Sequence, residues 1–94
     1  MVHLIVDGLG TRQSLLRDQA LLCAAVRGLV DLLGMTIMKG PVAVEAAGFG
    51  PQSGVTAVAI ISDSHVGVHT WPERNDYNLN IDVFSCRAFD TGAV

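Results

Sequence analysis

The sequence predicts an α+β fold, a two-layer sandwich in which a mainly antiparallel sheet is covered by one helix. Three observations support this prediction. A segment with helical spacing of its apolar residues follows the first short apolar run, the later apolar runs have the length of strands, and tight turns join several of these runs as antiparallel hairpins. With 94 residues, the chain has room for one domain, residues 1–94, and a domain this small favours oligomerisation.

A strand and a helix are predicted in the first third of the chain. Residues 2–6 form a short apolar run that ends at the turn 7–10, which has two glycines but lacks the rest of a phosphate-loop fingerprint. Thr11 is the candidate N-cap of one helix that ends near Leu33, and Gly34 suits the left-handed position after it. The apolar face of this helix consists of Leu15, Leu22, Val26, Leu29, Val30 and Leu33.

Four more strands are predicted at residues 36–46, 55–61, 66–71 and 79–85. Gly40-Pro41 interrupts the first of them, and because proline cannot donate to a sheet ladder we expect an edge, a bulge or a break there. A flexible, glycine-rich loop presents Phe49, which either covers a ligand or plugs the core. In the last two strands alternate residues share a face, so His69 and Cys86 lie on the more polar faces of neighbouring strands.

Composition and charge argue against several classes of function. The net charge is −3 and the Lys and Arg residues are scattered, so no basic surface for nucleic acid is indicated. The longest apolar runs are too short for a membrane span, and the N-terminus lacks the basic and apolar regions of a signal peptide. Cys23 and Cys86 occur in unlike contexts, which argues against a disulfide framework and favours a reducing cytoplasm.

Groups able to carry out chemistry are concentrated in residues 60–73, with Cys86 one strand further on. Within twelve positions the chain places Ser62, Asp63, Ser64, His65, His69, Trp71 and Glu73. The apolar strand before them delivers Ser64 to the point where rigid scaffold meets loop, which is where reactive groups are commonly placed. We interpret His65 as a turn residue satisfied by backbone groups. Three kinds of chemistry are compatible with the residues of this stretch.

Two of these are a metal site and a hydrolase triad. His65, His69 and Cys86 are metal-ligand types, but four residues of strand span about 13 Å, whereas zinc ligands lie within roughly 3–4 Å of one another. No metal site is therefore predicted. Ser64, His69 and Asp82 have the residue types of a hydrolase triad, but no nucleophile-elbow signature surrounds the serine.

The third possibility is that Ser64 attacks its own backbone. A serine hydroxyl in a strained turn can attack the preceding carbonyl, and elimination of the resulting ester cuts the chain and leaves a group that hydrolyses to a pyruvoyl ketone. Such a ketone binds a substrate amine and accepts electrons as carbon dioxide leaves. His69 could move protons during ester formation, and Cys86 could return a proton to the product carbanion. Composition alone does not select this chemistry.

Three motifs resemble the signature of the prokaryotic S-adenosylmethionine decarboxylases, which are small pyruvoyl enzymes of polyamine synthesis. They are Ser62-Asp63-Ser64-His65, His69-Thr70-Trp71-Pro72-Glu73 and Asp82-Val83-Phe84-Ser85-Cys86, in the family's order and near-spacing. Weaker similarity extends back to His3, so the resemblance covers nearly the whole chain. It implies a reaction on S-adenosylmethionine and a product that donates an aminopropyl group for spermidine synthesis.

The resemblance also implies roles for individual residues. The proenzyme is expected to cut itself between Asp63 and Ser64, with Thr56 and His69 assisting and Ser64 becoming the pyruvoyl cofactor. Cys86 is then the catalytic proton donor. The residues at or near the positions that line the family's substrate pocket are Phe49, Trp71 and Glu73. Family members are dimers whose subunits share active sites, so a homodimer is expected.

This sequence departs from the family at several positions. Asp63 and Thr56 stand where the family usually has glutamate and serine, and the loop after Glu73 is longer and different. Because this loop borders the pocket, the same chemistry on another amino acid, such as ornithine or arginine, is an alternative. The chain ends at Val94, where the family continues into a second helix and further strands, so a truncated, non-catalytic subunit that binds a partner is another alternative.

Overall fold

The computed structural model describes residues 2–10, 12–87 and 91–94. Within them the sheet has five strands, β1 (Val2–Gly8), β2 (Ile37–Ala46), β3 (Gly54–Ile61), β4 (Ser64–Thr70) and β5 (Leu79–Ser85). Two helices, α1 (Gln13–Leu16) and α2 (Gln19–Leu32), connect β1 to β2. Single 3₁₀ turns occupy Gly50–Gln52 and Thr91–Ala93.

All neighbouring strands of the sheet are antiparallel, in the order β1-β5-β4-β3-β2. The strands from β2 to β5 lie side by side in chain order, and β1 adds to the free edge of β5. The helix α2 packs across one face of the sheet and contacts β2, β3 and β4. The predicted α+β two-layer sandwich is therefore confirmed.

The segment predicted as one helix forms two. The first helix ends at Leu16, and Asp18 is the N-cap of the second, with its Oδ1 accepting the Leu21 N–H at 3.1 Å. The apolar spacing continues across this break, so periodicity alone does not reveal it. Gly34 follows the last turn with a φ of 68°, as predicted, whereas the candidate cap Thr11 lies outside the described residues.

The strand β2 lies at an edge of the sheet, which is one of the three alternatives expected from its proline. Gly40-Pro41 is a cis peptide bond within a continuous strand, and the pairing with β3 shifts register between Ile37 and Val42. Gly40 has a φ of 93°, and a Cβ there would lie 3.0 Å from the Val58 carbonyl oxygen, which favours glycine. The strand is therefore irregular at this point rather than interrupted.

The core lies between α2 and the sheet. Val26, Val30, Val66 and Val83 are each at most 1% exposed. On β3 the buried side chains occur at every second position, as a strand with one covered face requires. The full set of buried apolar residues in this core is Leu22, Val26, Val30, Met35, Val55, Ala57, Ala59, Ile61, Val66, Val68 and Val83.

The opposite face of the sheet, which we call the open face, carries both reactive and apolar side chains. Strand register puts Thr56, His65, His69 and Asp82 on this face. Four apolar side chains on the same face are each 54–66% exposed, namely Ile5, Val42, Val44 and Ile60. Exposed apolar area around reactive groups is typical of an interface or a ligand site.

Thr70 joins the helical segment to the sheet. Its side chain is buried, its hydroxyl donates to the Leu16 carbonyl at 2.6 Å, and its oxygen accepts the Val55 N–H at 3.2 Å. Gly54 passes so close to this residue that a Cβ would lie 1.7 Å from the Thr70 carbonyl oxygen. The C-terminal end of β4 is therefore held tightly against both β3 and α1.

We predict that Thr70→Val lowers the free energy of unfolding by about 1–3 kcal/mol, since valine keeps the shape but leaves the Leu16 carbonyl and the Val55 N–H without their partner. Urea unfolding followed by circular dichroism measures the change. Thr36→Val, at an exposed threonine, is the matched control and should stay within about 0.5 kcal/mol of wild type. Equal stability of the two variants would contradict the role given to Thr70.

Candidate functional site

The residues singled out from the sequence fall into two groups at opposite ends of β4. Ser64 is the first residue of this strand and His69 is the last but one. At about 3.3 Å per residue, five residues of strand separate their Cα atoms by roughly 16 Å. We call the first group the Ser64 cluster and the second the His69 cluster. The Ser64 cluster consists of Asp63, Ser64, His65, Asp82 and Cys86, and the His69 cluster of Thr56, His69 and Trp71.

The backbone at Ser64 has an unusual conformation. This residue opens β4 directly after the turn residues Ser62 and Asp63, and its φ is 144°, a value that residues with a side chain rarely adopt. The carbonyl oxygen of Asp63, which belongs to the Asp63–Ser64 peptide bond, accepts the Cys86 N–H at 2.8 Å. The bond expected to be cut is therefore strained on its serine side and polarised at its carbonyl.

The side chain of Asp63 is fixed by Arg87. The Arg87 Nε–H donates to Asp63 Oδ2 at 2.9 Å, and Nη2 of the same guanidinium donates to the Gly34 carbonyl at 3.1 Å. The turn is also held by the Ser62 N–H, which donates to the Thr36 carbonyl at 2.9 Å. These contacts fix the turn before Ser64 against the segment between α2 and β2. Sequence reasoning missed Arg87, and no pattern around it signals this contact.

His65, Asp82 and His3 form a connected row on the open face. The His65 Nε2 lies 3.3 Å from Asp82 Oδ2, and the His3 Nε2 lies 2.6 Å from Asp82 Oδ1. The Nδ1 of His65 faces Ser64 Oγ at 3.5 Å. Phe84 contacts both imidazoles, stacked on His65 with ring centroids 5.9 Å apart and edge-on to His3 at 5.2 Å. One row of contacts therefore runs from Ser64 to the edge strand β1.

This row corrects the interpretation of His65 and gives further evidence against the hydrolase triad. His65 has side-chain partners rather than backbone partners alone. Asp82, considered for a triad with Ser64 and His69, contacts His65 and His3 instead. His3 was missed as a member of the row, because only the pairing of β1 with β5 brings it next to Asp82.

The pKa of the Asp82 carboxyl lies below its ordinary value. Partial burial by itself raises this pKa, but the hydrogen bonds from His3 and His65, and the attraction of their rings when protonated, outweigh burial. Asp82 is therefore an ionised member of the row at neutral pH, and it can only accept hydrogen bonds.

The His69 cluster combines a hydroxyl, an imidazole and aromatic rings. Thr56 faces His69 across the β3–β4 pair, with its Oγ1 3.2 Å from Nδ1. The His69 ring stacks on Trp71 with centroids 6.2 Å apart, and Tyr77 meets Trp71 edge-on at 6.1 Å. Arg74 lies over the Tyr77 ring at 4.3 Å from its centroid. The loop after β4 thus folds back onto the tryptophan.

Phe49 and Glu73 lie at the same end of the sheet as the His69 cluster. Phe49 is exposed on the loop between β2 and β3, which leads into the strand beside the end of β4. The Glu73 carboxylate lies 3.5 Å from the Arg17 guanidinium, and both residues line an open cavity of about 340 Å³ together with Glu45 and Ser53. The predicted substrate-binding residues therefore accompany His69 rather than Ser64 within one chain.

A single chain joins Cys86 with the carbonyl of Asp63 and Thr56 with His69, but it keeps these two contacts at opposite ends of one strand. In the part of the chain that the structure describes, no three His, Cys, Asp or Glu side chains are placed to hold one metal ion, and no helix is long and apolar enough to cross a membrane. Cys23 and Cys86 are free thiols.

We predict that the contribution of Asp82 to stability disappears on acidification. Because the folded-state pKa is lowered, the charged carboxylate stabilises the fold above its unfolded-state pKa, and this contribution is lost as the pH falls through the folded-state value. The difference in free energy of unfolding between wild type and Asp82→Asn should be present near pH 6 and shrink towards about pH 3. Urea titrations at both pH values measure it, and a constant difference would contradict the assignment.

Comparison with known proteins gives a consistent set of relatives. The sequence profile described as S-adenosylmethionine decarboxylase matches residues 2–94. An S-adenosylmethionine decarboxylase proenzyme from Pyrobaculum neutrophilum is 29% identical over 84 residues, which are 89% of this chain and 63% of the relative. Proenzymes of the same name from Archaeoglobus fulgidus and Clostridium botulinum are 35% and 34% identical, over 89% and 95% of this chain and 69% and 72% of their own lengths.

The chain spans less than two thirds of the Pyrobaculum relatives, at 62–63% of their length. No solved structure shows a significant match to it.

Proposed function

The chain belongs to the S-adenosylmethionine decarboxylase family, and we propose that it is a proenzyme that cuts itself and then decarboxylates S-adenosylmethionine with a pyruvoyl group. The product would supply the aminopropyl donor for spermidine synthesis. The observation that carries the proposal is the geometry of the cut site, where Ser64 has a strained φ and the Cys86 N–H polarises the preceding carbonyl. The shared name of the reported relatives supports the same substrate.

Self-processing begins with the Ser64 hydroxyl. Its oxygen attacks the Asp63 carbonyl carbon, and the Cys86 N–H stabilises the negative charge that develops on the carbonyl oxygen. The C–N bond then breaks, which leaves an ester on the Ser64 oxygen and frees its amino group. Removal of the Ser64 α-proton then breaks the bond between Cβ and the ester oxygen, and Asp63 leaves with a new C-terminal carboxylate. Water releases the nitrogen as ammonia, so that the new N-terminus is a pyruvoyl ketone.

The residues around the cut fit the group that would form there. A pyruvoyl ketone supplies an electron sink once the substrate amine is bound to it. Cys86 is exposed, and its own N–H touches the carbonyl that precedes Ser64. We assign to the Cys86 thiol the transfer of a proton to the substrate carbon after carbon dioxide leaves. Phe49, Trp71 and Glu73 are the proposed substrate-binding residues.

The proposed enzyme is a homodimer with shared active sites. His69, held against Thr56, is assigned to proton transfer during processing, yet roughly 16 Å of β4 separates it from Ser64 of its own chain. A second copy that packs its open face against the first, with its strands reversed, brings its His69 cluster to the Ser64 cluster. The exposed apolar side chains Ile5 and Val44 belong to the face that this packing would bury.

The alternatives have less support. Decarboxylation of ornithine or arginine would use the same residues, but none of the relatives reported above carries such a name. A truncated subunit that only binds a partner would not account for the strained backbone at Ser64. Neither nucleic acid nor membrane is a partner in this proposal. The proposed location is the cytoplasm, and the two free thiols agree with a reducing compartment.

We predict that the purified protein separates under denaturing conditions into two fragments, residues 1–63 and 64–94. The second fragment should be lighter, by the mass of one ammonia, than a fragment that begins with serine, because a ketone replaces the amine. The same sample should release carbon dioxide from carboxyl-labelled S-adenosylmethionine. Ser64→Ala should remain one chain and release none, since it has no hydroxyl to attack the backbone.

The controls separate processing from substrate choice. Ser62→Ala changes the neighbouring serine of the same turn and should still be cut. Ornithine and arginine, each labelled in the carboxyl group, are the matched substrates. Release from either of them with none from S-adenosylmethionine would contradict the proposed substrate and leave self-processing in place. A wild-type chain that stays intact after long incubation would contradict the proposed chemistry.

We predict that the two clusters act across the dimer. His69→Ala alone and Ser64→Ala alone should both stay uncut. When the two variants are co-expressed, the His69→Ala chain should be cut in mixed dimers, because its Ser64→Ala partner supplies an intact His69. Mass spectrometry identifies the chain that is cut, since the two variants differ in mass. Mixed dimers that form on native mass analysis but contain no cut chain would contradict the shared site.

A further inference from the structure

We propose that His65, oriented by Asp82, is the base that accepts the Ser64 hydroxyl proton when the serine attacks its own backbone. This inference rests on the proposed self-processing and adds a residue to it. It gives the ester-forming step a base from the same chain, next in sequence to the nucleophile. His69 of the second copy then serves the later removal of the Ser64 α-proton.

The contact with Asp82 decides which nitrogen of the His65 ring carries the proton. An ionised carboxylate can only accept, so the His65 Nε2, 3.3 Å from Asp82 Oδ2, is the protonated nitrogen. In the neutral ring the other nitrogen, Nδ1, has a free lone pair. This is the nitrogen that faces Ser64 Oγ, at 3.5 Å. The ring is therefore oriented to accept the serine proton.

Asp82 and Phe84 hold the ring in this orientation. The His3 Nε2–H donates to Asp82 Oδ1 at 2.6 Å, so each carboxylate oxygen has its own imidazole partner. The His65 ring lies flat on Phe84, with an angle of 10° between the two planes. A positive charge that develops on His65 therefore has its counter-charge already in contact, as an imidazolium beside a buried carboxylate has in a serine hydrolase.

The other candidate bases are less suitably placed. Among the described residues, the side chain that contacts Ser64 Oγ is that of His65. Cys86 contacts the cut site through its backbone N–H, which is a donor. His69 of the same chain is roughly 16 Å away along β4. His65 is thus the acceptor that a single chain already provides.

The step conserves protons within the site. As Ser64 Oγ bonds to the Asp63 carbonyl carbon, its proton moves to His65 Nδ1. When the bond between that carbon and the Ser64 nitrogen breaks, the same His65 nitrogen returns the proton to the leaving amine. The ring ends the step neutral, and no external acid, base or oxidant is needed.

Hydroxylamine distinguishes the two steps of processing, because it cleaves an ester but leaves a peptide bond intact. His65→Ala should be cut about 10²-fold more slowly than wild type, and its uncut chain should resist hydroxylamine because no ester forms. His69→Ala should instead accumulate a chain that hydroxylamine cuts between Asp63 and Ser64. Added imidazole should speed the cutting of His65→Ala, since the shortened side chain leaves space for an imidazole molecule beside Ser64 Oγ.

Matched variants separate the role of Asp82 from a general effect of charge. Asp82→Asn removes the charge that orients His65 and should be cut at a rate between those of wild type and His65→Ala. Asp7→Asn is the control, because it removes another carboxylate from the same face, one that accepts the Asn80 amide N–H at 2.8 Å. This variant should be cut at the wild-type rate. His65→Gln can still donate to Asp82 but has no basic nitrogen, so it should be as slow as His65→Ala while thermal unfolding confirms that it is folded.

Several results would overturn the role of His65. They are cutting of both His65 variants at the wild-type rate, accumulation of a hydroxylamine-sensitive ester in them, or slow cutting of His65→Ala that imidazole leaves unchanged. A wild-type chain that never cuts would overturn this role together with self-processing. Normal cutting by wild type and by both His65 variants would remove only the role of His65 and leave the proposed function intact.

Discussion

The alternation of side chains along β4 is the constraint on which the rest of the structure depends. Every second residue from Val66 to Thr70 points into the core, so His65 and His69 must lie on the open face. The same alternation in β5 puts Asp82 on that face. A slip of one residue in the strand pairing would move each of these polar groups to the buried side. The packing of the core therefore also determines where the reactive groups can meet.

Much of the fold could be predicted from local sequence patterns. The main difference is that the segment predicted as one helix forms two, and the cause is a local contact that these patterns do not reveal. Alternating apolar residues predict the strands, and a proline that cannot donate predicts an edge, a bulge or a break in β2, which lies at the edge of the sheet. The break between α1 and α2 leaves the apolar face of the helical segment unchanged. It depends on the side chain of Asp18, which caps the second helix with a contribution of about 1 kcal/mol. The spacing of apolar residues carries no information about a capping hydrogen bond.

In the candidate site, too, some features could be predicted from neighbouring residues, and others depend on contacts between residues far apart in sequence. Residues within the three motifs could be singled out because they stand close together in sequence. His3 and Arg87 could not, because one meets Asp82 only through the pairing of β1 with β5 and the other reaches back to Asp63 across the fold. His65 was noticed, but its partner is decided by the register between β4 and β5. Residue types were therefore predictable, while their partnerships required the sheet.

The order of the strands has a consequence for a chain cut between Asp63 and Ser64. The piece before the cut contains β1, β2 and β3, and the piece after it contains β4 and β5, which lie between β1 and β3 in the sheet. The shorter piece is thus interleaved with the longer one, with hydrogen-bonded ladders on both of its sides and with Val66 and Val83 in the common core. Separating the pieces requires the sheet to open in two places at once. The two pieces should therefore stay associated without the peptide bond at the cut, and they would behave in solution as one folded unit.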